Sequence, residues 1–455
     1  MTAPWQSAFT EAPFDAAELV RGFREWDDSH KQGWGESGSA DTGALGWGES
    51  SFLESYASLY EITGDVHWLR RIADHADRIF GHRHDHFGDS GPTWVTDRYS
   101  VAWIRVEALH NRGTGSLDPV EDRVWTIRGG EQASDSDYVF EVVARGRYEL
   151  KRWPDRKLIA SGAVCSSRQV TDLAPFKLRL SGRTQIGDRF RIQTFRPLRL
   201  EYIVHQGRFL YPIARFCEFL RRVKGLSQRL QRAGQRYEAI ITEVAEKHER
   251  DWLDTGRGAG AYRFAPSSSE RYPNRILPHN QYLAFARTLL VMASISRRKL
   301  FAARARAMAR NFRRALRPVG DAWEWHYWDW VESGVQGHSN VEDTSHGHID
   351  VGFAAEACRR GVVFTDTDLR RFGRTLVDRM WNGQLRTKVR VGQRVDTVEG
   401  DDQVIRDWID LGQWESAAWE IGWSQFFRIG RPAVQAPIVL QGWLRCRHSS
   451  TGTRR

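Results

Sequence analysis

Cysteine is scarce: 4 in 455 residues. Cys165, Cys217, Cys358 and Cys446 lie far apart and form no C-x-x-C pair, which excludes a disulfide framework and a cysteine zinc site and leaves isolated thiols. Long apolar runs are also missing. No stretch of 18 apolar residues occurs, so no membrane-spanning helix is expected. The opening segment MTAPWQSAFTEAPFDAAELV has no basic stretch followed by an apolar run, which reads as a cytoplasmic protein with neither signal peptide nor membrane partner. Zinc-finger spacing, basic-region heptads and an aromatic RNP-type strand are absent too, so nucleic acid is not expected as a partner despite the positive charge. GRGAG at Gly256–Gly260 follows a helical pattern rather than a strand, so it is no dinucleotide loop.

What is present is arginine, tryptophan and histidine. Lys+Arg of 67 against Asp+Glu of 57 gives a net charge of +10; the excess is mostly arginine, whose planar fork suits carboxylate, sulfate or phosphate. Trp323 to Asp350 holds four of the 20 tryptophans and four of the 15 histidines. Its first part alternates, with Trp323, Trp325 and Tyr327 on one side of an extended chain and Glu324, His326 and Trp328 on the other. Aromatic faces beside titratable groups suit a site that grips a sugar ring and moves protons on it, although such stripes also build ordinary cores.

Helical hairpins dominate the organisation. Over Trp47–Phe80, Phe52, Tyr56, Leu59 and Tyr60 keep helical spacing, Gly64 and Asp65 stop one helix and cap the next, and Trp68, Leu69, Ile72, Ala76 and Ile79 resume the period. Similar pairs read at Phe209–Asp251, Asn280–Arg317 and His346–Trp381, the last with a capping box at Thr365 and Asp368. Between about Thr114 and Arg199 the period falls to two, predicting short strands from Tyr138 to Thr194. Hairpins that cannot bury their own apolar faces must stack. The expectation is a mainly α fold, an (α/α)5-6 toroid of helical hairpins with a small β-rich inserted module. Its divisions are 1–113 and 200–444 for the toroid, 114–199 for the insertion and 445–455 for a basic, disordered tail.

Two segments carry a resemblance. SFLESYASLYEITGDVHWLRRIADHADRIF (Ser51–Phe80) resembles the helix pairs of (α/α) toroid carbohydrate-active enzymes: unsaturated-glucuronyl hydrolases, sugar epimerases and uronate polysaccharide lyases. EDTSHGHIDVGFAAEACRRG (Glu342–Gly361) looks like their D-[TS]-S-x-x-x-I-x-x-x-G helix start. The hydrolases of this group would place an aspartate where LPHNQYLAFARTLL has His279, Asn280, Gln281 and Tyr282. The lyases resemble one another in using an amide, a histidine and a tyrosine. The resemblance therefore implies a lyase cleaving a uronic-acid-containing glycan, with an acidic carbohydrate as substrate partner.

β-Elimination needs the substrate carboxylate neutralised while a base takes the adjacent proton and an acid serves the leaving oxygen. The candidate catalytic set is His279, Asn280, Tyr282, His326, Tyr327, Glu342 and His346. Trp323, Trp325, Trp328, His205, Arg208, Arg275 and Asp343 are candidate substrate-binding residues, the two arginines as carboxylate clamps. If Glu342, His346 and Asp350 share a helix they share a face. Two further readings are a glycoside hydrolase with carboxylates drawn from Glu49, Glu342, Asp343, Asp401 or Asp402, and an epimerase. A non-catalytic glycan-binding toroid is a third. No cofactor is expected; Zn²⁺ or Ca²⁺ is the alternative, with His338, His346 and His348 beside Glu342 or Asp343, or the exposed loop of His82, His84 and His86.

Overall fold

The computed structural model describes residues 4–9, 11–88, 91–125, 133–164, 169–267, 269–328, 341–381 and 405–450. The chain divides into two compact units, one of residues 1–94, 202–263 and 275–455, the other of residues 95–201 and 264–274.

The first unit is built of helices: α1 (Ala16–Ser29), α2 (Thr42–Ala44), α3 (Ser50–Thr63), α4 (Val66–Gly81), α5 (Ile203–Arg222), α6 (Gln228–His248), α7 (His279–Ile295), α8 (Lys299–Ala315), α9 (Thr344–Arg359), α10 (Asp366–Arg374), α11 (Ile405–Trp408), α12 (Ser416–Arg428) and α13 (Ala436–Ser450). Local chemistry sets the boundaries. Gly64 closes α3 with φ 67°, a left-handed conformation that costs glycine little, and the Asp65 side chain accepts the His67 N–H to start α4. At α10 the Thr365 hydroxyl and Asp368 carboxylate form a reciprocal capping box. α3 packs on α4, α5 and α13; α5 packs on α6 and α7; α7 packs on α8 and α9; α9 packs on α10 and α11.

The helices divide into two kinds. α4, α6 and α8 bury one stripe and turn charged residues outward. α5 is buried continuously from Ile203 to Phe219 and α7 nearly so from His279 to Met292. A charged side chain within these buried stretches must therefore find its partner inside the protein.

The second unit carries β1 (Val101–His110), β2 (Ser116–Pro119), β3 (Arg123–Trp125), β4 (Ser136–Ala144), β5 (Arg147–Trp153), β6 (Leu158–Ala163), β7 (Gln169–Leu173), β8 (Phe176–Ser181) and β9 (Arg189–Phe195). Six of them form one antiparallel sheet in the order β3-β1-β9-β4-β5-β6, and β2-β8-β7 form a second. Phe140, Leu150, Phe176, Leu178, Phe190 and Ile192 close a core of their own. Two short ribbons, β10 (Trp252–Gly256) with β11 (Ala259–Tyr262) and β12 (Arg317–Val319) with β13 (Ala322–Glu324), belong to the first unit.

The expected mainly α toroid is corrected here. Of the described residues 53% are helical, and six strands form a curled antiparallel sheet. Strand β1 begins at Val101, ahead of the Thr114 boundary read from periodicity, because Val101, Ala102 and Ile104 are buried on both faces and show no alternation. The expected strand from Trp323 is corrected as well: only Ala322–Glu324 pairs, and His326 makes a single bridge with Val341.

Candidate functional site

Ionisable side chains from five helices of the first unit meet in its interior. α3 supplies Ser51 and Glu54, α5 Arg208, α7 Arg287, α9 His348, and α11 Arg406 with Asp407. Asp407 is the hinge of the group. One of its oxygens accepts from Arg287 at 2.9 Å and the other from His348 Nδ1 at 2.8 Å. Burial alone would raise its pKa, but the Arg287 guanidinium and the His348 bond outweigh burial and hold the carboxyl well below the usual range. Burial and the charge of Arg208 push His348 down to about 4 against the pull of Asp407, so the ring is neutral at pH 7 and its Nδ1–H donates. Helix α9 approaches closely enough for this because residue 352 is glycine. A Cβ there would lie 2.5 Å from the Asp407 carboxyl carbon and 2.9 Å from an Arg287 nitrogen.

Arg208 and Arg406 are satisfied less completely. Arg208 is 3% exposed and Arg406 8%. Arg208 stands 3.7 Å from Glu54 through one terminal nitrogen, while its Nε and its other terminal nitrogen are buried with no acceptor among the described residues. Arg406 donates to the Ser51 hydroxyl, and its Nε has no acceptor either. Burial and the charge of Arg208 push Arg406 down to about 10. Asp407 is already matched by Arg287 and His348, so these two guanidiniums lean chiefly on Glu54.

A second cluster surrounds the start of α9. Asp343 is its N-cap, accepting the His346 backbone N–H at 2.7 Å through one oxygen and facing His346 Nδ1 at 2.6 Å through the other. Glu342 therefore precedes the helix, and the expected shared helical face of Glu342, His346 and Asp350 is corrected. Glu342 and Asp350 are fully buried. Glu342 Oε1 accepts the Asp343 N–H and Asp350 Oδ2 accepts the Trp325 indole at 2.9 Å; Glu342 Oε2 and Asp350 Oδ1 receive no N–H donor among the described residues. Burial holds both pKa values well above the carboxylate range, helped at Glu342 by the charges of Asp350 and Asp343 and opposed at Asp350 by the Trp325 hydrogen bond.

The remaining candidates fall into place around these clusters. His279 Nδ1 lies 2.6 Å from the Tyr282 hydroxyl, which also accepts from Asn311, so both are core residues at the start of α7. Asn280 is buried beside them, and Tyr327 meets Gln281 at 3.5 Å and the His346 ring edge-on at 5.1 Å. His326 is buried at its bridge with Val341. The three indoles offer no platform. Trp323 donates to Asp368 O between the guanidiniums of Arg313 and Arg371, Trp325 packs on Phe372 and Trp408, and Trp328 donates to Ile276 O. His205 is buried, with Nδ1 2.9 Å from the Thr42 hydroxyl, and Arg275 is exposed at the surface. Glu49 pairs with His75 at 2.6 Å; Asp401, Asp402 and His338 lie outside the described residues.

Arg287, Arg406, His348, Asp407 and Glu54 were not singled out together by the sequence. The available signal was an arginine inside an otherwise apolar helix, as in LAFARTLL and HQGRFLY, because a charge at such a position is kept only when it is paired inside.

No family model matches the chain, and no curated protein matches it. Solved structures that match include flagellar proteins. FlgL of Xanthomonas campestris is 13% identical, with 50% of this chain and 90% of that one covered and a TM-score of 0.18. The flagellar junction protein FlgL of Legionella pneumophila is 11% identical over 49% and 74%, with a TM-score of 0.15. Flagellar hook associated protein-3 of Legionella pneumophila is 10% identical over 68% and 88%, with a TM-score of 0.16. Likenesses this slight carry no argument about fold or role. With no family model and no curated protein to support it, the resemblance to (α/α) toroid carbohydrate-active enzymes read at Ser51–Phe80 and Glu342–Gly361 is not upheld. With it go the lyase, hydrolase, epimerase and glycan-binding readings and the acidic carbohydrate partner. Among the described residues no helix is long and apolar enough to cross a membrane.

Proposed function

We propose that the protein binds a small molecule bearing an oxyanion, a carboxylate or a phosphate group, between Arg208 and Arg406. The observation that carries this reading is the pair of buried guanidiniums, each with N–H groups that find no acceptor among the described residues, which lean chiefly on one carboxylate, Glu54. Leaving buried charged donors unmet is costly, and a bidentate anion removes that cost while quenching the repulsion between the two cations. His348, neutral and fixed by Asp407, and the Ser51 hydroxyl add hydrogen-bonding groups at the same place. Both phosphate and carboxylate fit a guanidinium fork.

Thermal denaturation of the full chain in chloride buffer, with and without phosphate, sulfate, acetate or citrate, tests the reading. An anion about 100-fold above its Kd stabilises by about 2.7 kcal/mol, and phosphate against citrate separates the two ligand chemistries. Arg208→Gln and Arg406→Gln should each remove the shift. No shift with any of the four salts, or an unchanged shift in both variants, sinks the proposal.

A further inference from the structure

The cluster at the start of α9 is separate in chemistry from the arginine site: it is acidic and rests on different residues. Glu342, Asp343 and His346 each offer a ligand atom, and these atoms all lie within 4.8 Å of one another. Ligand atoms on one tetrahedral Zn²⁺ at about 2.0–2.2 Å stand roughly 3.4 Å apart, so the three side chains must draw in by about an ångström to close a coordination sphere. Asp350 adds a third carboxyl beside Glu342.

An acidic cluster alone would mean little. What sets this one apart is Glu342, fully buried, whose Oε2 receives no N–H donor among the described residues, and Asp350, equally buried, whose Oδ1 is in the same state. The charges that act most on Glu342 are those of Asp350, Asp343 and His346. The helix N-terminus carries a partial positive charge that opposes a cation, but Asp343 already answers it by accepting the His346 N–H. We propose that Glu342, Asp343 and His346 form a site for a divalent transition-metal ion, with Asp350 and the Trp325 indole behind them as the supporting layer.

Mixed carboxylate and imidazole ligands suit Zn²⁺ or Mn²⁺ better than Ca²⁺ or Mg²⁺, which prefer all-oxygen shells. On binding, the metal takes the place now held by the 2.6 Å contact between His346 Nδ1 and Asp343 Oδ2. His346 is 40% exposed in its side chain, which gives an ion a way in from solvent. The histidine trio expected from sequence is not the site: His348 turns to Asp407 instead.

Isothermal titration of the chelator-stripped full chain with Zn²⁺, Mn²⁺, Ca²⁺ and Mg²⁺ tests this. One equivalent of Zn²⁺ or Mn²⁺ should bind well ahead of Ca²⁺ and Mg²⁺, and Glu342→Gln and His346→Asn should each weaken it by about tenfold or more. A His84→Ala/His86→Ala variant should bind as the parent does, which separates the site from the surface histidine loop. If Glu342→Gln fails to fold by circular dichroism, His346→Asn carries the test, since that side chain is half in solvent. Absence of Zn²⁺ and Mn²⁺ binding, or unchanged binding in His346→Asn, overturns the proposal.

Discussion

His348 shows at the scale of one residue how burial and neighbours decide protonation. Its folded pKa, about 4, lies below its ordinary 6.5. The unfolded chain therefore takes up a proton first as pH falls. The contribution to stability is complete above pH 6.5 and is lost progressively between 6.5 and 4. From the size of that shift, urea unfolding should show a loss on the order of 2 kcal/mol between pH 7.5 and pH 5. His348→Asn should flatten that slope. Equal slopes in the two proteins would show that the ring is not buried neutral against Asp407. Residue identity made some of this readable in advance. Arg208 stood out as a candidate because it sits near a helix start, and the structure buries it within α5. Its partner Arg406 did not, since nothing local in IRDWID says which of 67 cationic side chains is drawn inside.

Between elements, one close backbone approach lies where α5 meets α7. A Cβ at Gly207 would stand 2.4 Å from the Phe285 backbone nitrogen and 2.5 Å from the Ala284 carbonyl carbon. These are backbone atoms of a buried helix and cannot swing aside as a flexible side chain would. The Thr288 hydroxyl also donates to Gly207 O at 3.1 Å across the same contact. Gly207→Ala should therefore cost about 1–3 kcal/mol or more by forcing the helices apart, read as a fall in the urea midpoint with an unchanged slope. A midpoint within error of the parent would mean that α5 and α7 do not pack as described. Helix ends were legible from sequence where a specific cap exists, as at Gly64 and Asp65 and at Thr365 with Asp368. The stretch from Trp323 was misread because alternation fits both a strand and a loop whose aromatic rings are pinned one by one: Trp323 by Asp368, Trp325 by Asp350, Trp328 by Ile276.

At the scale of the whole molecule, the reading of function failed where it rested on short helical motifs. A capped amphipathic hairpin is what any stacked helical protein needs, so such segments report packing and not chemistry. The second unit shows what the periodicity did carry. Phe140 faces Leu150 in the register of β4 and β5 and Phe190 in that of β4 and β9, and it stacks on Tyr148 at 4.7 Å. All four are buried in a core confined to that unit. A unit with its own core can unfold as its own cooperative step. Phe140→Ala removes a buried aromatic at a cost of about 3–5 kcal/mol, so scanning calorimetry of the full chain should show one transition moved down by many degrees while another stays in place. Phosphate or citrate, if held between Arg208 and Arg406, should then raise only the transition that Phe140→Ala leaves alone. A single transition that moves as a whole in both experiments would show that the chain unfolds as one body.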